Sequence, residues 1–127
     1  MVEDNKLRLG YWKIRGLAAP ARYILAYVGA DSKNDMYEQG DGPEFSREVW
    51  TSVKPTLPLD YPNLPYLIDG DVKVTESQAI YRYICNKYDS SLLGKNNKDR
   101  AHVDMMSCII MEAKGKGTML CYGGQEV

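Results

Sequence analysis

One histidine, three scattered cysteines and almost no net charge are what this sequence has least of, and each shortage removes a class of function. His102 stands alone, with no plausible catalytic triad or metal set around it. Cys85, Cys108 and Cys121 are odd in number and far apart, which suits neither a disulfide framework nor a zinc site. They are expected as reduced thiols, small apolar fillers on helices, in a cytoplasmic protein. Sixteen Lys and Arg against seventeen Asp and Glu give a field too weak to gather a polyanion, so nucleic acid is not an expected partner. No apolar run is long enough to cross a bilayer, so neither is a membrane. Residues 1–6 carry two acids and no apolar core and do not read as a secretory signal. Asp69-Gly70-Asp71 offers too few ligands for calcium. Repeats and low-complexity tracts are absent.

What is present is ordinary globular composition, 44% hydrophobic and 26% charged over 127 residues, with room for one domain and the start of another. Leu7, Leu9 and Tyr11 alternate with Lys6, Arg8 and Gly10, the period of a half-buried strand. Over residues 18–28 the residues Ala21, Ile24, Leu25 and Val28 follow helical spacing, with Pro20 in the first turn and Gly29 as terminator. Residues 34–39 predict a second strand, and Gly42-Pro43 starts a second helical stretch running to Lys54. Two short stretches, 66–68 and 72–74, flank Asp69-Gly70, a strong hairpin signal. Thr75-Glu76-Ser77-Gln78 has the form of a capping box ahead of a helix that ends near Asp89. The polar stretch 90–98 reads as a linker, and beyond it Val103, Met106 and Ile110 resume helical spacing. The order is βαβ then ββα, a small mixed sheet with helices on its faces in an α/β, thioredoxin-like arrangement. The expected domains are 1–89, then the linker 90–98, then the beginning of an all-helical domain over 99–127.

The segment LGYWKIRGL at 9–17 closely resembles the first strand and loop of mu-class glutathione transferases. DYPNLPYLIDGDVKVTESQAI at 60–80 is similar to the same family, and the likeness runs in register from about Lys6 to Asp89. It continues more weakly to MLCY at 119–122. The resemblance implies that Tyr11 donates a hydrogen bond to the sulfur of reduced glutathione, the co-substrate, with no other cofactor and no metal. A free thiol has a pKa of about 8.5, and lowering it by roughly two units requires about 2.7 kcal/mol of preferential stabilisation of the thiolate. A well-aligned donor in a dry pocket can supply much of that.

The resemblance places Asn63, Leu64 and Pro65 at the cysteinyl part of glutathione, with Pro65 cis and Leu64 offering its own N–H and C=O. It places Ser77 at the γ-glutamyl carboxylate, where a helix start favours an anion, and Glu76 opposite the α-amino group. Glutamine is usual at that position, and a carboxylate facing an ammonium is chemically sensible. Trp12, Arg47, Trp50 and Lys54 match positions that hold the glycyl and cysteinyl ends. Ile14, Leu17, Met111 and Tyr122 match the electrophile side. Tyr61 matches an aromatic key of the family homodimer, and Glu112 replaces an Asp that would reach the neighbouring subunit's glutathione.

Family members continue beyond the equivalent of Val127, so a weaker dimer is expected here. Lys114-Gly115-Lys116-Gly117 also lies inside what should be a long helix, where each glycine costs about 1 kcal/mol relative to alanine. Met105, Met106, Ile109, Ile110 and Met111 put apolar groups nearly all round that helix, a pattern that calls for several neighbours. The expected function is conjugation of glutathione to small hydrophobic electrophiles. A truncated, non-catalytic glutathione-binding module is the alternative. Thiol-disulfide exchange needs a reactive cysteine after the first strand, where Tyr11 and Trp12 stand instead.

Overall fold

The structure, a computed structural model, describes residues 6–123, so the reading of the amino terminus and the last four residues of the expected second domain lie outside the described residues. The chain divides into two compact units, Met1–Asp89 and Ser90–Val127.

In the first unit β1 (Leu7–Trp12) is central because its alternate residues are apolar. Leu7, Leu9 and Tyr11 are buried among Ala18, Ala21, Leu25, Leu67, Ile80 and Ile84. It pairs in parallel with β2 (Ser32–Tyr37) and antiparallel with β3 (Tyr66–Asp69), which in turn pairs antiparallel with β4 (Val72–Thr75). The strand order is therefore β2-β1-β3-β4. A single 3-10 turn, Gly16–Ala18, leads into α1 (Ala19–Tyr27), whose first turn holds Pro20. Gly29, at φ 66°, lets the chain leave that helix. On the opposite side of the sequence α3 (Ser77–Tyr88) packs against α1 and lays Ile80 and Ile84 on the core.

Gly10 has a steric reason. A Cβ there would lie 2.1 Å from two ring atoms of Tyr66, so β1 and β3 approach this closely only because position 10 carries no side chain. The hairpin forms as its Asp-Gly signal predicts, with Asp69 opposite Val72 and Gly70 at φ 58°.

Three local expectations are corrected. The second strand spans 32–37 and not 34–39, because pairing with the whole of β1, Leu7 with Ser32 through Trp12 with Tyr37, sets its limits. The long second helix is absent: α2 is only Glu48–Thr51, followed by a 3-10 turn at Lys54–Thr56. Phe45 sits at φ 47°, which no right-handed helix accommodates. The capping box does not form either. Thr75 ends β4 opposite Tyr66 and gives its hydroxyl to the Tyr61 carbonyl at 3.0 Å, while Glu76 makes the strand-to-helix turn at φ 72°.

In the second unit a 3-10 turn, Ser90–Leu93, and the first residues of α4 (Asn97–Tyr122) lie within the stretch read as a linker. Asn96 caps α4, its side-chain oxygen accepting the Asp99 N–H at 2.9 Å. The helix continues through Gly115 and Gly117, with an exposed Lys116–Glu112 pair at 2.9 Å across that stretch. None of its residues is buried. Cys85 is a buried filler on α3, as expected, and burial pushes its thiol up, with the Asp89 charge adding to the rise. Cys108 and Cys121 are not fillers, since both are exposed on α4. No helix among the described residues is long and apolar enough to cross a membrane.

Candidate active site

The end of β1 carries Tyr11 into the core while the residues after Trp12 turn outward, with Lys13, Ile14 and Arg15 exposed. The turn then comes back over the phenol. Gly16 takes φ 41°, and a Cβ on it would lie 2.6 Å from the Tyr11 hydroxyl oxygen. The next residue, Leu17, donates its backbone N–H to that oxygen at 3.2 Å. The bond uses a lone pair of the phenol and leaves the hydroxyl proton for another acceptor. Arg22 of α1 steadies the outward turn, donating to the carbonyl of Ile14 at 2.7 Å, to that of Trp12 at 3.4 Å and to the Asn34 side chain at 3.2 Å.

Across from this turn stands α3. Ser77 begins the helix and is buried; Glu76 precedes it and is exposed. One turn further on, Tyr81 donates its hydroxyl to the Leu17 carbonyl. Burial pushes the Tyr81 hydroxyl up, the Ser77 hydroxyl facing it pulls the other way, and nearby Tyr11 adds to the rise.

The Leu64–Pro65 peptide is cis, as the resemblance implies. Leu64 packs on the core cluster that also receives Trp12, Leu17 and Tyr81. Its N–H is already taken by the side-chain oxygen of Asn63 at 2.9 Å. Next to this corner lies a buried aromatic group. Trp50 stacks on Tyr66 with centroids 6.2 Å apart and meets Tyr37 edge-on at 5.3 Å. The Tyr37 and Tyr66 hydroxyls are 2.9 Å apart, and Tyr66 donates to Asp35 at 3.0 Å. Arg8 pairs with the same carboxylate at 2.7 Å. Burial, then Tyr37 and Asp35, hold the Tyr66 phenol far above its ordinary value, so it remains a neutral donor. Trp50 is thus tied into the sheet, while Arg47 and Lys54 beside it are exposed and enter no ion pair among the described residues.

The candidate residues therefore fall into groups. Tyr11, Leu17 and Ser77 converge through Tyr81; Asn63, Leu64 and Pro65 form one corner; Arg47, Trp50 and Lys54 lie on or beside α2. Ile14 is half exposed on the outward turn, whereas Met111 and Tyr122 belong to α4 of the other unit, Tyr122 being its last residue. Sequence reasoning missed Arg22, Asp35, Tyr37, Tyr66 and Tyr81. Each acts on residues outside its own local segment, and no signal in the sequence pointed to any of them.

A βαβ unit followed by ββα on one mixed sheet, with a cis-proline corner ahead of β3 and a helix start after β4, defines a thioredoxin-like domain. The family described as "Glutathione S-transferase, N-terminal domain" matches residues 7–86, and the chain belongs to it. "Glutathione S-transferase Mu 4" of Mus musculus is 42% identical over 116 residues, covering 91% of this chain and 52% of the relative. A glutathione S-transferase of Mesocricetus auratus is 44% identical over 114 residues, covering 90% and 51%. Among solved structures, the Pi-class glutathione S-transferase of Onchocerca volvulus superposes with a TM-score of 0.79 at 28% identity, over 94% of this chain and 51% of that one. The chain spans about half the length of the curated relatives it matches.

Proposed function

We propose that this protein is a glutathione transferase that adds the thiolate of reduced glutathione to small hydrophobic electrophiles such as activated aryl halides, epoxides or enones. The observation that carries the reading is the Tyr11 hydroxyl: buried at the end of β1, accepting the Leu17 N–H and keeping its own proton for a sulfur. Donation to the thiolate lowers the thiol pKa, and holding sulfur beside the electrophile supplies the rest of the rate, so no covalent catalysis by the protein is needed.

In this proposal residues 1–89 form the glutathione-binding domain, 90–98 a linker and 99–127 the start of the helical domain. Ser77 and the first N–H groups of α3 hold the γ-glutamyl carboxylate, and exposed Glu76 faces the α-amino group. Leu64 pairs with the cysteinyl part, exchanging its present Asn63 contact for the ligand. Trp12 and Trp50 border the peptide, and the exposed cations Arg47 and Lys54 draw in the glycyl carboxylate. Ile14 and Leu17 contribute to the electrophile side. The protein works in the cytoplasm and uses glutathione as co-substrate without a further cofactor; Tyr61, 82% exposed, matches the contact of the family homodimer, and this chain dimerises more weakly than the family, if at all.

The test is glutathione-dependent conjugation of a chromogenic aryl halide by wild type and Tyr11→Phe, with glutathione binding measured on both. Turnover that falls by about a hundredfold in Tyr11→Phe at nearly unchanged affinity is the expected result, within the range for losing a charge-stabilising donor. Binding without turnover in wild type would make the chain a glutathione-binding module instead.

A further inference from the structure

Leu17 is held at both ends of its backbone by tyrosines from different elements. Its N–H meets the Tyr11 oxygen on β1, and its carbonyl receives the Tyr81 hydroxyl from α3. The residues before it, 13–15, are exposed, and Gly16 has its φ in the left-handed region. Arg22 holds the Ile14 and Trp12 carbonyls ahead of the turn and the Ala19 N–H returns to the Arg15 carbonyl, while the two tyrosine bonds hold Leu17 itself.

We propose that Tyr81 is a positioning residue for the thiolate donor: by holding the Leu17 carbonyl it keeps the Leu17 N–H on the Tyr11 oxygen. An N–H given to a phenol oxygen draws electron density from it, and the hydroxyl becomes a stronger donor toward an anion, the mutual polarisation of hydrogen bonds in series. The proposal rests on the transferase reading for its catalytic consequence but not for the bond itself. Its geometry also explains why a hydroxyl sits on this face of α3 at all. A phenylalanine would pack on the core cluster equally well but leave the Leu17 carbonyl without this donor.

Tyr81→Phe removes one oxygen and keeps the ring, so circular dichroism and the exchange rates of β1 amides should match wild type. In the free protein, amide hydrogen exchange at Leu17 should quicken about two- to tenfold, the weight of one neutral hydrogen bond, as it should also in Tyr11→Phe. With glutathione bound, ultraviolet absorbance of the thiolate should titrate at higher pH, by up to about one unit, and kcat should fall about two- to tenfold. The glutathione Kd should change less than about twofold. The double variant Tyr11→Phe/Tyr81→Phe should be no slower than Tyr11→Phe alone, because Tyr81 acts only through Tyr11.

Unchanged Leu17 exchange in Tyr81→Phe, or kinetic losses that multiply in the double variant, would overturn the proposal. A purely structural Tyr81 would lower stability and leave the thiolate titration where it was. If wild type itself fails to lower the thiol pKa of bound glutathione, the transferase reading falls, while the Leu17 exchange rates still decide the Tyr81 bond.

Discussion

Helices α3 and α4 are both amply apolar, yet within their own units they are used in opposite ways. The first has 12 residues and buries Ser77, Ile80, Ile84 and Cys85; the second has 26 and buries none. In α3 the apolar positions recur on one face, and that face finds β1 and α1. In α4 Met105, Met106, Ile109 and Ile110 share one broad face, yet each is about half exposed. Apolar content alone therefore does not make a core; a stripe with something to cover it does.

The sharpest way to break this comparison is to truncate the α3 stripe. Ile84→Ala, at a position with no exposure, should cost about 3 kcal/mol through lost burial and the cavity left behind, read by urea unfolding. A cost below about 1 kcal/mol would mean that the α3 face is not the core of its unit.

A smaller effect lies at the far end of the same helix. Asp69 of the hairpin turn accepts from Tyr83 at 2.6 Å and from Lys87, fastening the hairpin to α3. Burial alone would raise the Asp69 carboxyl, but the bonds from Lys87 and Tyr83 outweigh it and hold it below its ordinary 3.8. Its contribution to stability is therefore complete above 3.8 and is lost as pH falls through the lower folded value. Asp69→Asn should cost about 1 kcal/mol near neutral pH and flatten the acid side of the stability profile. An acid limb identical to wild type would remove this tie from the account. Tyr83, pushed up to about 12 by burial and by Asp69, stays a neutral donor until strongly alkaline pH.

The smallest effect belongs to α4. A Cβ at Gly117 would meet nothing within 4 Å, so Gly117→Ala should gain up to about 1 kcal/mol of helix stability and raise the helical circular dichroism signal. A loss of signal would show that the glycine answers to something other than helix propensity.

Much of the first unit was legible in the sequence because its signals are local. Alternation marked β1, Asp69-Gly70 marked the hairpin, and Pro20 with Gly29 bracketed α1. The short α2 and the bare start of α3 were not legible. Each depends on a single residue at positive φ, Phe45 and Glu76, where side-chain type gives no warning. The candidate site was legible only through the family resemblance, since a tyrosine, a Leu-Pro pair and a serine carry no chemistry by spacing alone. Tyr81 and Tyr66 were missed because their partners lie 64 and 31 residues away.

By itself the sequence determined which segments alternate or spiral, where the hairpin turns and which family the chain belongs to, because periodicity and short motifs are properties of neighbouring residues. The tertiary structure alone decided that Asp35 gathers Arg8 and Tyr66 and that Leu17 is shared between Tyr11 and Tyr81. Which donor meets which acceptor follows from strand register and helix packing, and these bring together residues that no local pattern relates.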